Sequence, residues 1–242
     1  RLLNLNARSA ANKAVELEGA LLAFDPDVAV ITETWLHSQI TDSSVFPDGF
    51  KVFRRDRGSR GGGVALLVKE SLQCTSIEHN YDCEMVWATI CFGSQLMLVG
   101  GMYRSPQASI DVLRSLFEFL YFKTKQFSRV ILAGDFNLPD VDWDSVMPKG
   151  SCEHSRLLVD IAFSNTLSQV VKCPTRMSNG CESLLDLVFL SEVVSRSVLD
   201  VFIGHGISDH AIVVCDLSAP HYSYKVPEAK RYRDFTLASD VD

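Results

Sequence analysis

The chain has 242 residues, a formal net charge of −7 and 47% hydrophobic residues. That length and hydrophobic content are enough for one large buried core, so we expect a single domain. The acidic balance argues against a surface coated in positive charge for indiscriminate nucleic-acid binding. The longest apolar runs, at 28–31 and 64–68, are far too short to span a bilayer, so we expect no membrane partner.

The seven cysteines are odd in number and include no C-x-x-C pair. This pattern disfavours both a disulfide framework and a zinc site, and it predicts an intracellular, reducing compartment. The sequence opens on Arg1 without a signal-like leader. We therefore expect it to be a piece of a longer protein.

The first part of the chain predicts a strand, a helix and a second strand. Alternating residues indicate a strand over 2–6, and Ser9 is expected to cap a helix whose apolar face carries Leu17 and Leu21. A compact apolar run at 28–31 predicts a buried strand. Glu33 follows that strand directly, so its carboxylate is expected at a strand end.

The middle of the chain predicts mainly strands. Residues 50–68 read as two strands joined by an arginine-rich and glycine-rich turn, and residues 84–92 and 95–103 read as a hairpin. Apolar residues from 110 to 120 recur at helical spacing. A further buried strand at 129–133 ends at Asp135 and Asn137, which repeats the arrangement of Glu33.

The last part predicts a helix near 157–161 and strands at 185–189, 198–203 and 211–215. The final strand begins just after Asp209 and His210. Strands interrupted by helices favour an α/β sandwich with two sheets face to face and helices outside. From residue 218 the chain becomes polar, and 218–242 is predicted to be a linker towards a downstream region.

Polar side chains at strand ends converge in space if those ends share one rim of the sandwich. Glu33 is the preferred candidate ligand for a hard divalent cation such as Mg²⁺. Asp135 is expected to orient and deprotonate a water, while Asn137 donates to a phosphate oxygen. His210 acts as a protonated donor if Asp186 raises its pKa. Taken singly, each residue also has an ordinary structural explanation, such as a turn former or a helix cap.

The order of these residues resembles the endonuclease/exonuclease/phosphatase family. Within that family it resembles the apurinic-endonuclease-type domain at the front of the polyprotein of non-LTR retrotransposons. The Gly-Asp-Phe-Asn and Ser-Asp-His segments are the specific motifs. The matching segments, in chain order, are residues 3–6, 32–36, 102–106, 134–137, 185–187 and 208–210.

The resemblance implies a four-layer α/β/β/α sandwich of two mostly antiparallel sheets, formed by a catalytic domain over residues 1–217. It implies that Glu33 binds Mg²⁺, with Mn²⁺ as a substitute and Asn4 close by. It also implies catalytic roles for Asp135, Asn137, His210, Asp186, Tyr103 and Asp209. In these roles Tyr103 lies against the phosphate, Asp186 supports His210, Asp209 is either near the metal or orients His210, and Ser208 is a lesser neighbour.

One position departs from the cellular apurinic endonucleases, which carry an aspartate where this chain has Asn6. The departure agrees better with the retrotransposon branch. We therefore expect a Mg²⁺-dependent endonuclease that nicks one strand of double-stranded DNA and leaves a 3′-hydroxyl for a downstream reverse transcriptase. Such a substrate implies access to the nucleus.

Two kinds of alternative function remain open. The first is another enzyme on the same scaffold, either a repair endonuclease for abasic sites or a phosphatase for small molecules or lipids. The second is an inactive module that binds nucleic acid or protein. The complete set of motif residues argues against loss of catalysis.

The arginine-rich turn has two equally weighted interpretations. Its arginines contact the DNA backbone, or they form a solvated hairpin tip. The adjacent triglycine, residues 61–63, is not followed by a Gly-Lys-Ser/Thr sequence, so it predicts turn geometry rather than a nucleotide-binding loop. The arginines concerned are Arg54, Arg55, Arg57 and Arg60.

Overall fold

A computed structural model describes residues 1–58, 60–178 and 180–218 of the chain. The strands of the first half are β1 (Leu2–Asn6), β2 (Val28–Thr32), β3 (Phe50–Arg55), β4 (Val64–Lys69), β5 (Gln73–Ile77), β6 (Met85–Phe92), β7 (Gln95–Tyr103) and β8 (Val130–Asp135). Those of the second half are β9 (Val141–Asp142), β10 (Met147–Pro148), β11 (Leu167–Gln169), β12 (Arg176–Ser178), β13 (Cys181–Ser183), β14 (Asp186–Ser191), β15 (Val198–Gly204) and β16 (Ile212–Leu217). The helices are α1 (Ala14–Phe24), α2 (Asp111–Lys123), α3 (Glu153–Ser164) and α4 (Glu192–Ser195).

The long strands form two six-stranded sheets. The first has the order β15-β16-β1-β2-β4-β3 and the second has the order β11-β14-β8-β7-β6-β5. The pairs β1–β2 and β7–β8 are parallel, and the other neighbours within the two sheets are antiparallel. The short strands β9–β10 and β12–β13 form two separate ribbons.

Alternation along the strands produces three hydrophobic layers. In β1, Leu3 and Leu5 pack with Leu17 and Leu21 of α1, whereas Leu2 packs between the two sheets. Helices α2 and α3 cover the outer face of the second sheet. Because successive side chains of a strand point to opposite faces, one strand serves two layers. The predicted four-layer α/β/β/α sandwich is confirmed.

The predicted cap of the first helix is wrong. Ser9 has a left-handed φ of 84°, and its hydroxyl accepts a hydrogen bond from the Asn12 side chain at 2.8 Å. A short 3-10 turn, Ala11–Lys13, comes first, and α1 begins after it without a side-chain cap. The chain therefore enters α1 through a tighter turn than the apolar spacing indicated.

Some strands were not predicted because they lack the expected pattern. Strand β5 is an edge strand of exposed and half-buried residues, and β9 to β13 have two or three residues each. Most of the predicted linker, residues 219–242, lies outside the described part of the chain. None of the helices within the described residues is long and apolar enough to cross a membrane.

Candidate active site

The candidate site is the polar end of the layer between the two sheets. Leu2 of β1 packs in that layer, and Asn4 and Asn6 follow on the same face. In β8, Ala133 lies in the layer and Asp135 follows on the same face. The three polar side chains are fully buried. Both sheets thus turn from apolar to polar at the same end.

Gly134 sets the position of Asp135. A side chain at Gly134 would bring a Cβ atom to within 1.8 Å of the Met102 carbonyl oxygen, and the φ of Gly134 is 151°. Only glycine tolerates that contact and that backbone conformation. The close approach aligns β8 with β7, so that Asp135 pairs with Tyr103.

Asp135 is held by two donors from different parts of the chain. Its Oδ2 accepts a hydrogen bond from Asn6 Nδ2 at 2.9 Å, and its Oδ1 accepts the backbone N–H of Asn137 at 3.0 Å. Asp186 lies directly opposite it in the β8–β14 register. Burial, followed by the nearby charge of Asp186, raises the pKa of Asp135 well above its usual value.

His210 and Asp186 form a buried pair. The Nδ1 atom of His210 lies 2.7 Å from Asp186 Oδ2, and only 3% of the histidine is exposed. Burial lowers the pKa of His210, but the hydrogen bond and charge of Asp186 outweigh it, so the pKa is raised above 6.5. Ligand-type atoms of Asp135, Asp186 and His210 lie within 4.8 Å of one another.

Glu33 reaches the site through an unusual backbone conformation. Strict alternation along β2 would place Glu33 on the helix-facing side with Ile31, but its φ is 49°, in the left-handed region. Its carboxylate instead accepts the Tyr103 hydroxyl at 3.1 Å and the Trp35 Nε1–H at 3.2 Å. Burial, followed by the charge of Glu33, raises the pKa of Tyr103. The first sheet therefore presents a carboxylate to a residue of the second.

Two buried oxygen atoms at the site suit a hard cation. Asn4 donates through Nδ2 to the Gly134 carbonyl at 3.3 Å, which leaves its Oδ1 without a hydrogen-bond partner among the described residues. The Oδ1 atom of Asp186 is likewise unpartnered within that part of the chain. Buried oxygens are rarely left without a partner, and Mg²⁺ prefers oxygen ligands. The donor set fits a divalent metal ion.

The Ser-Asp-His segment is fastened to the first sheet and to a ribbon. Ser208 donates to the Asn6 carbonyl at 2.7 Å and accepts the backbone N–H of His210 at 3.1 Å. Asp209 forms ion pairs with Arg8 at 2.8 Å and Arg176 at 2.9 Å. Burial opposes ionisation, but these two arginines lower the pKa of Asp209. The structure therefore gives the Asp209 carboxylate two guanidinium partners, and its role towards a metal stays a prediction.

The four arginines of the predicted turn make different contacts. Arg54 forms an ion pair with Asp42 at 3.1 Å and donates to a backbone carbonyl. Arg57 pairs with Glu84. The guanidinium of Arg60 lies 5.9 Å from the centre of the Trp35 ring, and Arg55 is exposed at the end of β3. Their contact with DNA stays a prediction.

Four residues of the site were not selected from the sequence. Asn6 was treated only as a departure from relatives, although its spacing of two from Asn4 on one strand already puts both on the same face. Arg8 and Arg176 lie outside the matching segments, and Trp35 lies within the segment 32–36 without a functional role having been assigned to it. Arg8 and Arg176 contact Asp209, which is distant in sequence, and Trp35 contacts Glu33 only because both residues have left-handed backbone. No local sequence pattern therefore identifies these three residues.

Comparison with known proteins gives one family and several similar folds. Residues 97–229, more than half of the chain, match the family described as endonuclease-reverse transcriptase. No curated protein matches the chain. A similar solved structure is the endonuclease domain of TRAS1, a telomere-specific non-LTR retrotransposon, with 17% identity, a TM-score of 0.69 and coverage of 90% of this chain and 97% of that one.

Two further structures share the fold. The 3′ phosphatase NExo from Neisseria, bound to a product DNA hairpin, has 15% identity, a TM-score of 0.72 and coverage of 90% and 98% of the two chains. The apurinic endonuclease LMAP from Leishmania major has 17% identity, a TM-score of 0.71 and coverage of 90% and 87%. The sandwich is thus the fold of these nucleases, and the chain belongs to the endonuclease-reverse transcriptase family.

Proposed function

We propose that the domain is a Mg²⁺-dependent DNA endonuclease that nicks one strand of duplex DNA. The observation that carries the proposal is the buried group of Asp135, Asp186 and His210, whose ligand-type atoms lie within 4.8 Å of one another. A general base, a protonated donor and unpartnered oxygens at one polar end are the parts that phosphodiester hydrolysis requires. Residues 1–217 form the catalytic domain in this proposal, and 218–242 lead to a reverse transcriptase.

Asp135 acts as the general base. Burial and the charge of Asp186 raise the pKa of Asp135, and a carboxylate with a raised pKa is a stronger base towards water. The hydrogen bonds from Asn6 and the Asn137 backbone fix its two oxygens. The attacking water gives a proton to Asp135 and forms a new P–O bond as the bond from phosphorus to the 3′ oxygen breaks. The 3′ alkoxide takes up a proton from solvent, and the products are a 3′-hydroxyl and a 5′-phosphate.

His210 and Asn137 contact the phosphate in this scheme. The carboxylate of Asp186 keeps the imidazole protonated and fixes its orientation, so His210 donates to a phosphoryl oxygen as charge grows there. The Asn137 amide donates to the Arg104 carbonyl at 2.9 Å, which holds its geometry beside Asp135. Tyr103 lies against the phosphate in this scheme, and its hydroxyl donates a hydrogen bond to the Glu33 carboxylate.

Glu33 would hold the metal ion, with Asn4 on the neighbouring strand. When bound, Mg²⁺ or Mn²⁺ supplies neutralisation of the charge on the phosphoryl oxygens. The Asp135, Asp186 and His210 group is not assigned to the metal in this scheme, because a protonated imidazole has no free nitrogen for a metal ion. Asn6 adds an amide where an aspartate would add a carboxylate, which disfavours a repair enzyme for abasic sites.

The proteins to which the chain is similar support a DNA substrate. The family description names a reverse transcriptase, and the TRAS1 domain comes from a non-LTR retrotransposon. A nick with a 3′-hydroxyl supplies a primer for such a polymerase. A chromosomal target implies that the protein enters the nucleus.

A substrate panel tests the proposal. Supercoiled plasmid, a duplex with one abasic site and a set of inositol phosphates are each incubated with the protein in Mg²⁺ and in EDTA. We expect nicked plasmid in Mg²⁺ alone, with ends that a DNA polymerase extends without treatment. Preferential cleavage of the abasic duplex would favour repair, phosphate release from the small substrates would favour a phosphatase, and no turnover of any substrate would favour an inactive binding module.

A further inference from the structure

Arg57 and Glu84 form an ion pair at the edge of the candidate site, in which two guanidinium nitrogens share one carboxylate oxygen. The Nε and Nη2 atoms of Arg57 lie 2.8 Å and 2.5 Å from Oε1 of Glu84. The other carboxylate oxygen of Glu84 accepts the backbone N–H of Gly63, and the Glu84 carbonyl accepts the N–H of Tyr103 at 2.9 Å. The pair is therefore hydrogen-bonded to Gly63, just before β4, and to Tyr103 at the end of β7, whose side chain contacts Glu33.

The triglycine tract, residues 61–63, packs against this ion pair and leaves room for its side chains. A Cβ atom at Gly62 would lie 2.4 Å from both Cζ of Arg57 and Oε2 of Glu84, and a Cβ atom at Gly63 would lie 2.4 Å from the Thr34 hydroxyl. Non-bonded heavy atoms do not approach one another so closely. A residue with a side chain at position 62 would therefore displace the ion pair, and one at position 63 would displace the Thr34 side chain. The glycines thus accommodate specific side chains, in addition to forming a turn.

The same tract holds the segment that carries Glu33. The backbone N–H of Trp35 donates to the Gly62 carbonyl at 2.9 Å, and that of Thr34 donates to the Gly63 carbonyl at 3.4 Å. Glu33 and Trp35 have left-handed φ values of 49° and 56°, which cost energy unless surrounding contacts maintain them. The glycine carbonyls are among those contacts.

A second route leads from the ion pair to Glu33 through side chains. The Arg57 guanidinium lies 5.6 Å from the centre of the Tyr103 ring, within the range of a cation–π contact. The Tyr103 hydroxyl donates to Oε1 of Glu33, and the Trp35 indole donates to Oε2. Both oxygens of the candidate metal ligand are therefore oriented by groups that the ion pair and the triglycine support.

We propose that Arg57 and Glu84, packed on Gly62, are positioning residues that preset the Glu33 carboxylate for a divalent metal ion. This inference rests on the proposed function, because Glu33 is the metal ligand there. It assigns Arg57 a role inside the protein, rather than the DNA-backbone contact considered from the sequence. Loss of the ion pair frees the Tyr103 ring and the Glu33 turn, so metal affinity falls.

Mn²⁺ binding to the DNA-free protein tests the proposal directly. The dissociation constant is measured by the electron paramagnetic resonance signal of free Mn²⁺ for the parent, Arg57→Ala, Glu84→Gln, their double variant and Gly62→Ala. We expect each single variant to weaken binding by about tenfold or more, as is typical for groups that orient a metal ligand. The double variant should be no weaker than the singles, since the two residues act as one unit.

Two matched controls separate positioning from general damage. Gly180 has a φ of 75°, close to the 71° of Gly62, but a Cβ atom there would meet nothing within 4 Å among the described residues beyond its chain neighbours. Gly180 is not next to Arg57 or Glu84 in the chain, so Gly180→Ala carries the same backbone strain away from the ion pair. Arg196 forms an exposed ion pair with Glu192 in α4, so Arg196→Ala removes a comparable pair elsewhere. Both controls should keep the parent's Mn²⁺ affinity, and thermal melting in EDTA shows that each variant is folded.

The possible outcomes are distinct from those that test nicking itself. Unchanged Mn²⁺ affinity in Arg57→Ala and Gly62→Ala overturns the inference, and a lower salt dependence of DNA binding in Arg57→Ala would then assign Arg57 to the DNA backbone. A parent protein that binds no Mn²⁺ overturns it as well. A parent that binds Mn²⁺, responds to these variants and nicks no DNA supports the inference while contradicting the endonuclease proposal.

Discussion

The Nδ1 atom of His210 lies 2.7 Å from Oδ2 of Asp186, and both side chains are buried at the end of the layer between the sheets. This relationship favours the protonated form of His210. Burial alone lowers the pKa of the imidazole, and the hydrogen bond and charge of Asp186 raise it above 6.5. The donor that the mechanism needs thus depends on a residue that need not touch the substrate.

Asp186→Asn should lower the pKa of His210. Without the carboxylate, burial becomes the dominant influence, and burial favours the neutral imidazole. Titration of the histidine signals by NMR in EDTA measures the change, with the exposed His205 as an internal reference. We expect nicking at neutral pH to fall by about a hundredfold, within the usual range for loss of acid–base assistance. An unchanged His210 titration would contradict the assigned pair.

The same pair should make stability depend on pH. The pKa of His210 is higher in the folded protein than in the unfolded chain. Protonated His210 therefore contributes its full stabilisation at pH values below about 6.5. The contribution is lost as the pH rises through the folded pKa. Urea unfolding in EDTA across this window measures it, and His210→Gln should show a smaller decline than the parent. Equal declines would assign the pH dependence to other groups.

Asn6→Asp should destabilise the metal-free protein. The change replaces a donor 2.9 Å from Asp135 with a third buried carboxylate, after Asp135 and Asp186, so a hydrogen bond becomes a repulsion. We expect a loss of about 1–3 kcal/mol in the free energy of unfolding in EDTA. Mg²⁺ should recover more stability in the variant than in the parent, because the added oxygen offers a ligand. Thermal melting with and without Mg²⁺ measures both, and equal recovery would contradict the expectation.

Much of the fold could be predicted because its long strands obey simple patterns. The apolar run of β2 and the alternation of β1 correctly indicated the two buried strands. The predicted start of α1 was wrong because the Ser9 hydroxyl accepts a hydrogen bond from the Asn12 side chain and does not cap the helix. A local competition between hydrogen bonds decided that turn, and apolar spacing carries no information about it.

The candidate site was predicted where residues fall at strand ends, and it was missed where contacts cross between elements. Asp135 and Asp186 are in register because β8 and β14 pair, which the sequence does not display. The arginine-rich turn illustrates the limit. Charge alone left a DNA contact and a solvated hairpin tip equally open, and the structure adds that Arg54 and Arg57 each have acidic partners from other segments, Asp42 and Glu84. Such pairing depends on tertiary contacts that no local pattern encodes.

Arg8→Ala and Arg176→Ala should weaken the binding of duplex DNA. Each arginine donates a hydrogen bond to one oxygen of Asp209. The other N–H groups of each guanidinium can donate to a phosphate of the DNA backbone. If each contacts one phosphate, the slope of log affinity against log salt should fall by about 0.9 per arginine. Fluorescence anisotropy in EDTA at several salt concentrations measures the slope. Arg196→Ala is the control, and slopes equal to the parent's would place both arginines outside the interface.

The most direct test of the central claim is the nicking rate of His210→Ala beside that of His205→Ala. His210 is buried against Asp186, whereas His205 is exposed on the same connection between β15 and β16. With plasmid and Mg²⁺ in single-turnover conditions, we predict that His210→Ala is slower by about 10²–10³, as expected for a lost transition-state donor. His205→Ala should match the parent. A His210→Ala protein that is folded and nicks at the parental rate would contradict the account.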